Sequence, residues 1–431
     1  MRRGVREPTS PLQIADFRKI WLARFCSVLA TTGMVVIIGY QLYDVARSQY
    51  GMSIAEASLQ LGLLGLAQFV PLAVLTPLAG VVADRFDRRI VAAVAVTLDL
   101  TIALALALAT YSGAVTLPLL YLLAALHGSA RVFVAPAVSS IVPNVVPPVM
   151  LPRAIAMGSI AWQVGSVVGP AGAGLLFAQG RDLPYWASAA LLILSGLALL
   201  SIRRMPALAS AREAHPFRQV VDGFKYVWYE RFLLGCVTLD LFAVLLGGAT
   251  ALLPVFARDI LHVGSEGLGI MRASPAIGAA LVAAWLSWRP LARNVGAKML
   301  WAVAAYGAAT IAFGLSRDFL LSLGFLAFLG AADMVSVYVR SSLVQLHTPD
   351  EVRGRVSSIS GLAISASNEL GEMQSGVAAA LIGATGAVVF GGAGAILVTV
   401  IWAAIFPELR RAKTFAPQFR TLNDSPKEQT T

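Results

Sequence analysis

Charge is scarce in this chain of 431 residues. Asp, Glu, Lys and Arg make up only 13% of it, against about 25% in an ordinary soluble domain. With 58% hydrophobic residues and a mean hydropathy of +0.75, the composition excludes a soluble globular protein and points to an integral membrane one. No polar stretch is long enough to form a second, soluble domain. Cysteine is nearly missing too. Cys26 and Cys236 both fall in apolar runs, which excludes a disulfide framework or thiolate metal site and leaves two small packing residues. No G-x-x-x-x-G-K-[ST] phosphate loop occurs, so ATP hydrolysis is not expected. H-E-x-x-H, paired CxxC and G-x-S-x-G motifs are absent as well, and neither an enzyme nor a cofactor is expected. The polar, basic stretch from Met1 to Asp16 has no apolar core and does not read as a cleavable signal peptide.

What is present is a series of long apolar runs. A helix needs roughly 20 apolar residues to cross a bilayer core. Such segments fall at about 19–45, 53–81, 90–111, 118–143, 151–179 and 185–203, then 231–259, 266–289, 296–315, 318–346, 354–383 and 386–406. The expected fold is all-α: twelve transmembrane helices in two six-helix bundles related by a pseudo-two-fold axis. Its parts would be an N-terminus over 1–18, bundles over 19–203 and 231–406, a linker over 204–230 and a tail over 407–431. The linker carries an amphipathic pattern in Phe217, Val220, Val221, Phe224 and Trp228.

The net charge of +10 follows membrane topology. Of 33 Lys and Arg residues, 25 fall on the face that holds both termini and 4, namely Arg47, Arg181, Arg258 and Arg317, fall on the other. By the positive-inside rule both termini are cytoplasmic, in a multi-pass protein of the cell inner membrane. The basic balance therefore calls for no nucleic acid. The halves also match each other under a shift of 202 positions: Ser139 with Ser341, Ser140 with Ser342, Val142 with Val344, Arg153 with Arg355 and Gly169 with Gly371. The same shift sets Arg131 opposite Asp333. Duplicated halves around a midplane site are the architecture of secondary transporters.

Between the second and third runs lies the turn Gly80-Val81-Val82-Ala83-Asp84-Arg85-Phe86-Asp87-Arg88-Arg89. It resembles the G-x-x-x-D-R-x-G-R-R turn of major facilitator superfamily transporters, with Asp87 where the superfamily usually has Gly. The resemblance implies a conformational latch built on Gly80, Asp84, Arg85, Arg88 and Arg89; the plainer alternative is a topogenic basic loop. The fifth run carries Gly165, Gly169, Pro170, Gly172 and Gly174, expected to flatten one helix face and bend it. This stretch is similar to the glycine–proline signature of the exporting, antiporter branches, although small residues also serve plain helix packing. Phe133 to Pro136, Ile141 to Pro147, Leu253 to Arg258 and Thr348 to Val356 resemble the enterobactin-exporter-like branch, which includes siderophore and macrolide efflux proteins. The likeness spans roughly Phe17 to Leu409.

Charges inside apolar spans point to mechanism, since burying one costs about 2.5–3.5 kcal/mol even on lenient insertion scales. Asp99, Arg131, Asp240, Asp333, Arg340, Glu369 and Glu372 all lie inside spans. Arg131, Asp333, Glu369, Asp99 and Asp240 are the candidates for proton coupling and the substrate cavity; fixed ion pairs, such as Asp333 with Arg340, are the alternative. His127, within the fourth run, reads as packed more readily than as a relay, and His215, His262 and His347 form no ligand spacing. Tyr40, Gln41 and Tyr43 offer either a stacking surface for an aromatic substrate or an interfacial anchor. The expectation is a monomeric secondary exporter, contacting membrane lipid, that drives an amphipathic small molecule outward against inward proton flow. An importer or a lipid or lysolipid flippase of the same fold is the alternative, ahead of a membrane sensor or enzyme.

Overall fold

The computed structural model describes residues 10–204 and 216–416, and these are all helix and connecting turn, without strand. In hydrocarbon a helix satisfies its own backbone hydrogen bonds, which is why apolar runs of this length fold so. The helices are α1 (Ala15–Ser48), α2 (Ile54–Arg85), α3 (Arg88–Tyr111), α4 (Leu117–Ile141), α5 (Leu151–Gln179), α6 (Leu183–Leu200), α7 (Pro216–Tyr229), α8 (Arg231–Leu246), α9 (Leu253–Val255), α10 (Gly264–Trp288), α11 (Val295–Leu315), α12 (Phe319–His347), α13 (Asp350–Ile405) and α14 (Pro407–Arg411). Starts are encoded locally. Ser53 and Glu56 close a reciprocal capping box on α2, Asp318 accepts from the Leu321 amide to open α12, and proline occupies the first turn of α4, α5 and α6.

Eleven described helices are long and apolar enough to cross a membrane. One of them counts twice. At 56 residues α13 would extend about 84 Å as one rod, far beyond a bilayer core of about 30 Å. Gly383 interrupts it with φ 78°, a left-handed conformation that only glycine takes freely, at the last residue of the expected span 354–383 and before 386–406. The expected span 231–259 departs from a single helix. α8 stops at Leu246, a 3-10 turn covers Ala249–Leu252, and α9 runs into a π turn at Phe256–Ile260. Gly247 and Gly248 supply the break, and the Tyr306 hydroxyl donates to the Gly247 carbonyl at 2.9 Å.

The chain forms two compact units. One comprises Met1–Ala214 with Leu253–Ala276, the other His215–Leu252 with Ile277–Thr431. The partition therefore does not fall only at the linker, since residues 253–276 of the second sequence repeat pack in the first unit. α7 belongs to the second unit and packs on α13, with Gly223 against the Arg355 backbone and Val227 buried.

The repeat is visible in how the helices touch. In the first unit Gly33 of α1 meets Gly169 of α5, where a Cβ on Gly33 would come within 2.8 Å of the Gly169 carbonyl oxygen. In the second unit Gly248 beyond α8 meets Gly371 of α13, at 2.7 Å by the same measure. Gly169 and Gly371 are the pair related by the 202-residue shift, so each repeat uses the same small residue to bring its helices into contact.

Candidate functional site

The buried charges form two separate centres, one in each unit. In the second, Arg340 of α12 pairs with Asp240 of α8, the two side chains being 5% and 7% exposed. Arg340 Nε finds no acceptor of its own among the described residues. Asp333 sits two turns earlier on α12, on the same helix face, and interacts electrostatically with both members of the pair. Asp333 is half-buried and Asp240 buried. Tyr306 of α11 lies within electrostatic reach of both acids. Two carboxylates thus share one guanidinium. The close ion pair of Arg340 is with Asp240, while Asp333, the partner suggested from sequence, interacts with it electrostatically.

In the first unit Asp99 of α3 meets His127 of α4, Oδ1 to Nδ1, at 2.7 Å, with both side chains 1% exposed. His127 was the histidine read as packed; it is packed, and it is also the partner of an intramembrane acid. The remaining candidates are distributed. Arg131 is exposed on α4, Glu369 is buried on α13, and Glu372 beside it is half-buried; each makes further interactions.

A third group of charges, not singled out from sequence, gathers where α1 ends. Asp44 pairs with Arg258 at 3.2 Å and Arg181 at 3.6 Å, while Arg47 pairs with Asp259 at 3.5 Å. The Tyr43 hydroxyl donates to Asp259 at 2.5 Å, and the Arg258 guanidinium lies 6.0 Å from the centre of the Tyr43 ring. The π turn Phe256–Ile260 aims both Arg258 and Asp259 at α1. Signs alternating over Asp44, Arg47, Arg258 and Asp259 were the available signal. Tyr43 is therefore a buried ion-network residue, Gln41 is held by Thr110 and Tyr185, and Tyr40 stands edge-on to Phe177, so none of the three is left as a stacking surface.

At the 80–89 turn the backbone of α2 continues helical through Arg85; the side chains of Asp84 and Arg85 lie outside the described residues. Asp87, the departure from the superfamily pattern, has a local reason. Its carboxylate caps α3 by accepting from the Arg89 amide at 3.0 Å. The Arg89 guanidinium donates to the Ile202 carbonyl at 2.8 Å and ties the turn to the end of α6.

The glycines of α5 do not flatten one face as expected. Gly165 and Gly169 face Val28, Leu29 and Gly33 of α1, whereas Gly174 faces Ser265 and Gly269 of α10. Five residues separate Gly169 from Gly174, which at 3.6 per turn carries the contact around to another face. The Thr32 hydroxyl donates to the Gly165 carbonyl at 3.1 Å, and the Gln163 amide donates to the Ala276 carbonyl at 2.9 Å. α5 is thus a central packing helix of the first unit.

Known proteins share both sequence and fold with this chain. The enterobactin exporter EntS of Escherichia coli O1:K1 / APEC is 28% identical over 421 residues, covering 95% of this chain and 96% of that protein. EntS of Shigella boydii serotype 18 (strain CDC 3083-94 / BS512) is 28% identical with the same coverage. Among solved structures, the nucleoside transporter NupG superposes with a TM-score of 0.68 at 16% identity, covering 91% of this chain and all of that one (100%). A bacterial homologue of the human lysosomal transporter Spinster, inward-facing and occupied, gives 0.69 at 16% identity, with 94% and 97% covered. These two show the fold. A family described as transmembrane secretion effector matches residues 6–426. With that match across nearly its whole length, this multi-pass membrane chain belongs to the transmembrane secretion effector family of the major facilitator superfamily.

Proposed function

We propose that the chain exports an amphipathic small molecule, siderophore-like or drug-like, by proton-coupled alternating access, as a monomer with both termini in the cytoplasm. The observation that carries this reading is the buried ion pair of Arg340 and Asp240 with Asp333 two turns away. Arginine keeps its charge in a protein, so the proton count of the centre is set by the acids. With one acid protonated the three groups are neutral; with both ionised they carry a net negative charge. A neutral cluster tolerates dry surroundings, and a charged one needs water or a counter-ion. Proton binding therefore favours occlusion, and proton loss favours opening to water. Asp333, the acid outside the close ion pair, is the carrier in this scheme. Arg131 meets an anionic or catechol-like substrate, and Glu369 is the second acid that senses it. Siderophore-type cargo is supported by the relatives named as enterobactin exporters. Outward transport is supported by the Gly165, Gly169, Pro170 and Gly174 signature, and a latch at Gly80, Asp84, Arg85, Arg88 and Arg89 holds one conformation.

The direct test is reconstitution into proteoliposomes with enterobactin as the probe and an imposed pH gradient. Gradient-driven accumulation is expected, abolished by a protonophore and indifferent to ATP. Asp333→Asn is expected to lower it at least tenfold while leaving gradient-free exchange intact. A requirement for ATP, or indifference to the protonophore, overturns the proposal. Separately, Asp84→Asn and Arg85→Ala are expected to insert normally and transport at least tenfold more slowly, because a latch worth about 1.4 kcal/mol shifts a two-state equilibrium tenfold. Wild-type efflux by either well-expressed variant removes the latch role.

A further inference from the structure

The contact between Asp99 and His127 leaves one atom unaccounted for. His127 Nδ1 faces the carboxylate at 2.7 Å, but its other ring nitrogen, Nε2, is buried without any hydrogen-bond partner among the described residues. Each protonation state of the pair then carries a different defect. With one ring proton, on Nδ1, the imidazole is neutral and the pair holds a net negative charge in a dry helix interface. With a second proton, on Nε2, the pair is a neutral carboxylate–imidazolium couple whose Nε2–H lacks an acceptor. Neither state is satisfied outright, and they differ by a single proton.

No other described charge compensates the pair. α3 carries Arg88 and Arg89 only at its start, and α2 carries Glu56, Asp84 and Arg85 at its ends. α6 has no charged residue between Leu183 and Leu200. On α1, Asp16 pairs with Lys19, Arg18 is exposed at its start, Asp44 and Arg47 are held in the ion network at its end, and half-buried Arg24 lies beside Gly158 of α5. Arg131, one turn along α4, is exposed. Of the polar side chains on the packed helices, Gln41 bonds Thr110 and Tyr185, and Gln60 bonds Tyr121. Gln68 of α2 is buried with its backbone against Gly128, the neighbour of His127.

We propose that Asp99 and His127 form a second proton-binding site, in the first unit, which takes up one proton on His127 Nε2 while occluded and gives it up when water reaches the pair. Net charge is then balanced by the proton alone, since the carboxylate stays ionised and Nδ1–H stays shared with it. This deepens the proton-coupled reading and rests on it for its role in transport, but the binding of the proton does not depend on a substrate. The repeats would then each own a protonatable centre of different chemistry, an acid–histidine couple in one and two acids around an arginine in the other.

The test uses the full chain with 15N-labelled histidine in lipid nanodiscs, where only four histidines give ring signals. At pH 7 the His127 signals, assigned by their loss in His127→Gln, are expected to be those of a doubly protonated ring. Asp99→Asn is expected to convert them to those of a neutral imidazole. A neutral His127 in the unaltered chain, or a ring that stays charged in folded Asp99→Asn, overturns the proposal. In proteoliposomes, folded His127→Gln should lose at least tenfold of gradient-driven enterobactin efflux and keep gradient-free exchange; unchanged driven efflux also overturns it. If the unaltered chain moves no enterobactin at all, the exporter reading fails while the ring signals still decide whether the proton site exists.

Discussion

An arginine shared by two carboxylates does not respond equally to the loss of each partner. Arg340→Ala leaves Asp240 and Asp333 near one another with no cation, whereas Asp240→Asn leaves the guanidinium with Asp333 two turns away on its own helix. Breaking a buried pair costs about 3–5 kcal/mol when the survivor is stranded. Arg340→Ala is therefore expected to lower the melting temperature in detergent markedly more than Asp240→Asn. The double variant Asp240→Asn/Arg340→Ala should recover part of the loss. Equal melting shifts in the two single variants would contradict this division of partners. The charged residues themselves were legible, because an acid or base inside an apolar run stands out. Their pairing was not, for Asp240 and Arg340 lie a hundred positions apart on different helices, and only packing decides that they meet. The 202-residue shift marks Arg131 and Asp333 as equivalent positions, whereas the pairing of Asp240 with Arg340 had no counterpart in the spacing.

At the scale of one helix, α5 separates glycines that carry packing from one that does not. A Cβ on Gly169 would lie 2.6 Å from the Leu29 carbonyl oxygen, while one on Gly172 meets nothing within 4 Å. Gly169→Ala is expected to destabilise by about 1–3 kcal/mol through overpacking. Gly172→Ala should be neutral or stabilising by about 0.5–1 kcal/mol, as alanine is the better helix former. Thermal melting of the purified variants checks both, and a tolerated Gly169→Ala would mean that the two helices can separate at no cost. Such a glycine run is easy to see in sequence, but its division between α1 and α10 is not, because position within the run does not say which neighbour each glycine meets. The 80–89 turn gives a complementary case. Asp87 departs from the superfamily pattern yet caps α3, so Asp87→Ala is expected to cost about 1 kcal/mol in the same melting assay.

Over the whole molecule, hydropathy was sufficient for the twelve spans, since each helix needs only length and apolar character to be recognised. Even the join inside α13 fell at the end of one expected span and before the next, with Gly383 as its physical cause. The interruption of span seven was harder to read. Gly247 and Gly248 lie in an otherwise apolar run, and the break depends on Tyr306 taking the carbonyl that helix continuation would have used. The charge asymmetry makes a topological prediction: green fluorescent protein fused to either terminus should fluoresce, and alkaline phosphatase fused there should stay inactive. Active phosphatase at one end would place that end outside.

The partition into units has a consequence for cutting the chain. The polypeptide passes between units three times, after Ala214, after Leu252 and after Ala276. Severing the linker thus leaves residues 1–214 with no covalent tie to the rest, and nicked protein stays associated only through non-covalent contacts, those with residues 253–276 of their own unit among them. The first repeat made by itself, in contrast, is an unfinished object. It lacks residues 253–276, and with them the counter-surface for Gly174, the Asp259 partner of Arg47 and one of the two arginines on Asp44. A boundary drawn from sequence symmetry and a fragment able to stand alone are here two different things, and the difference is a borrowed stretch of 24 residues.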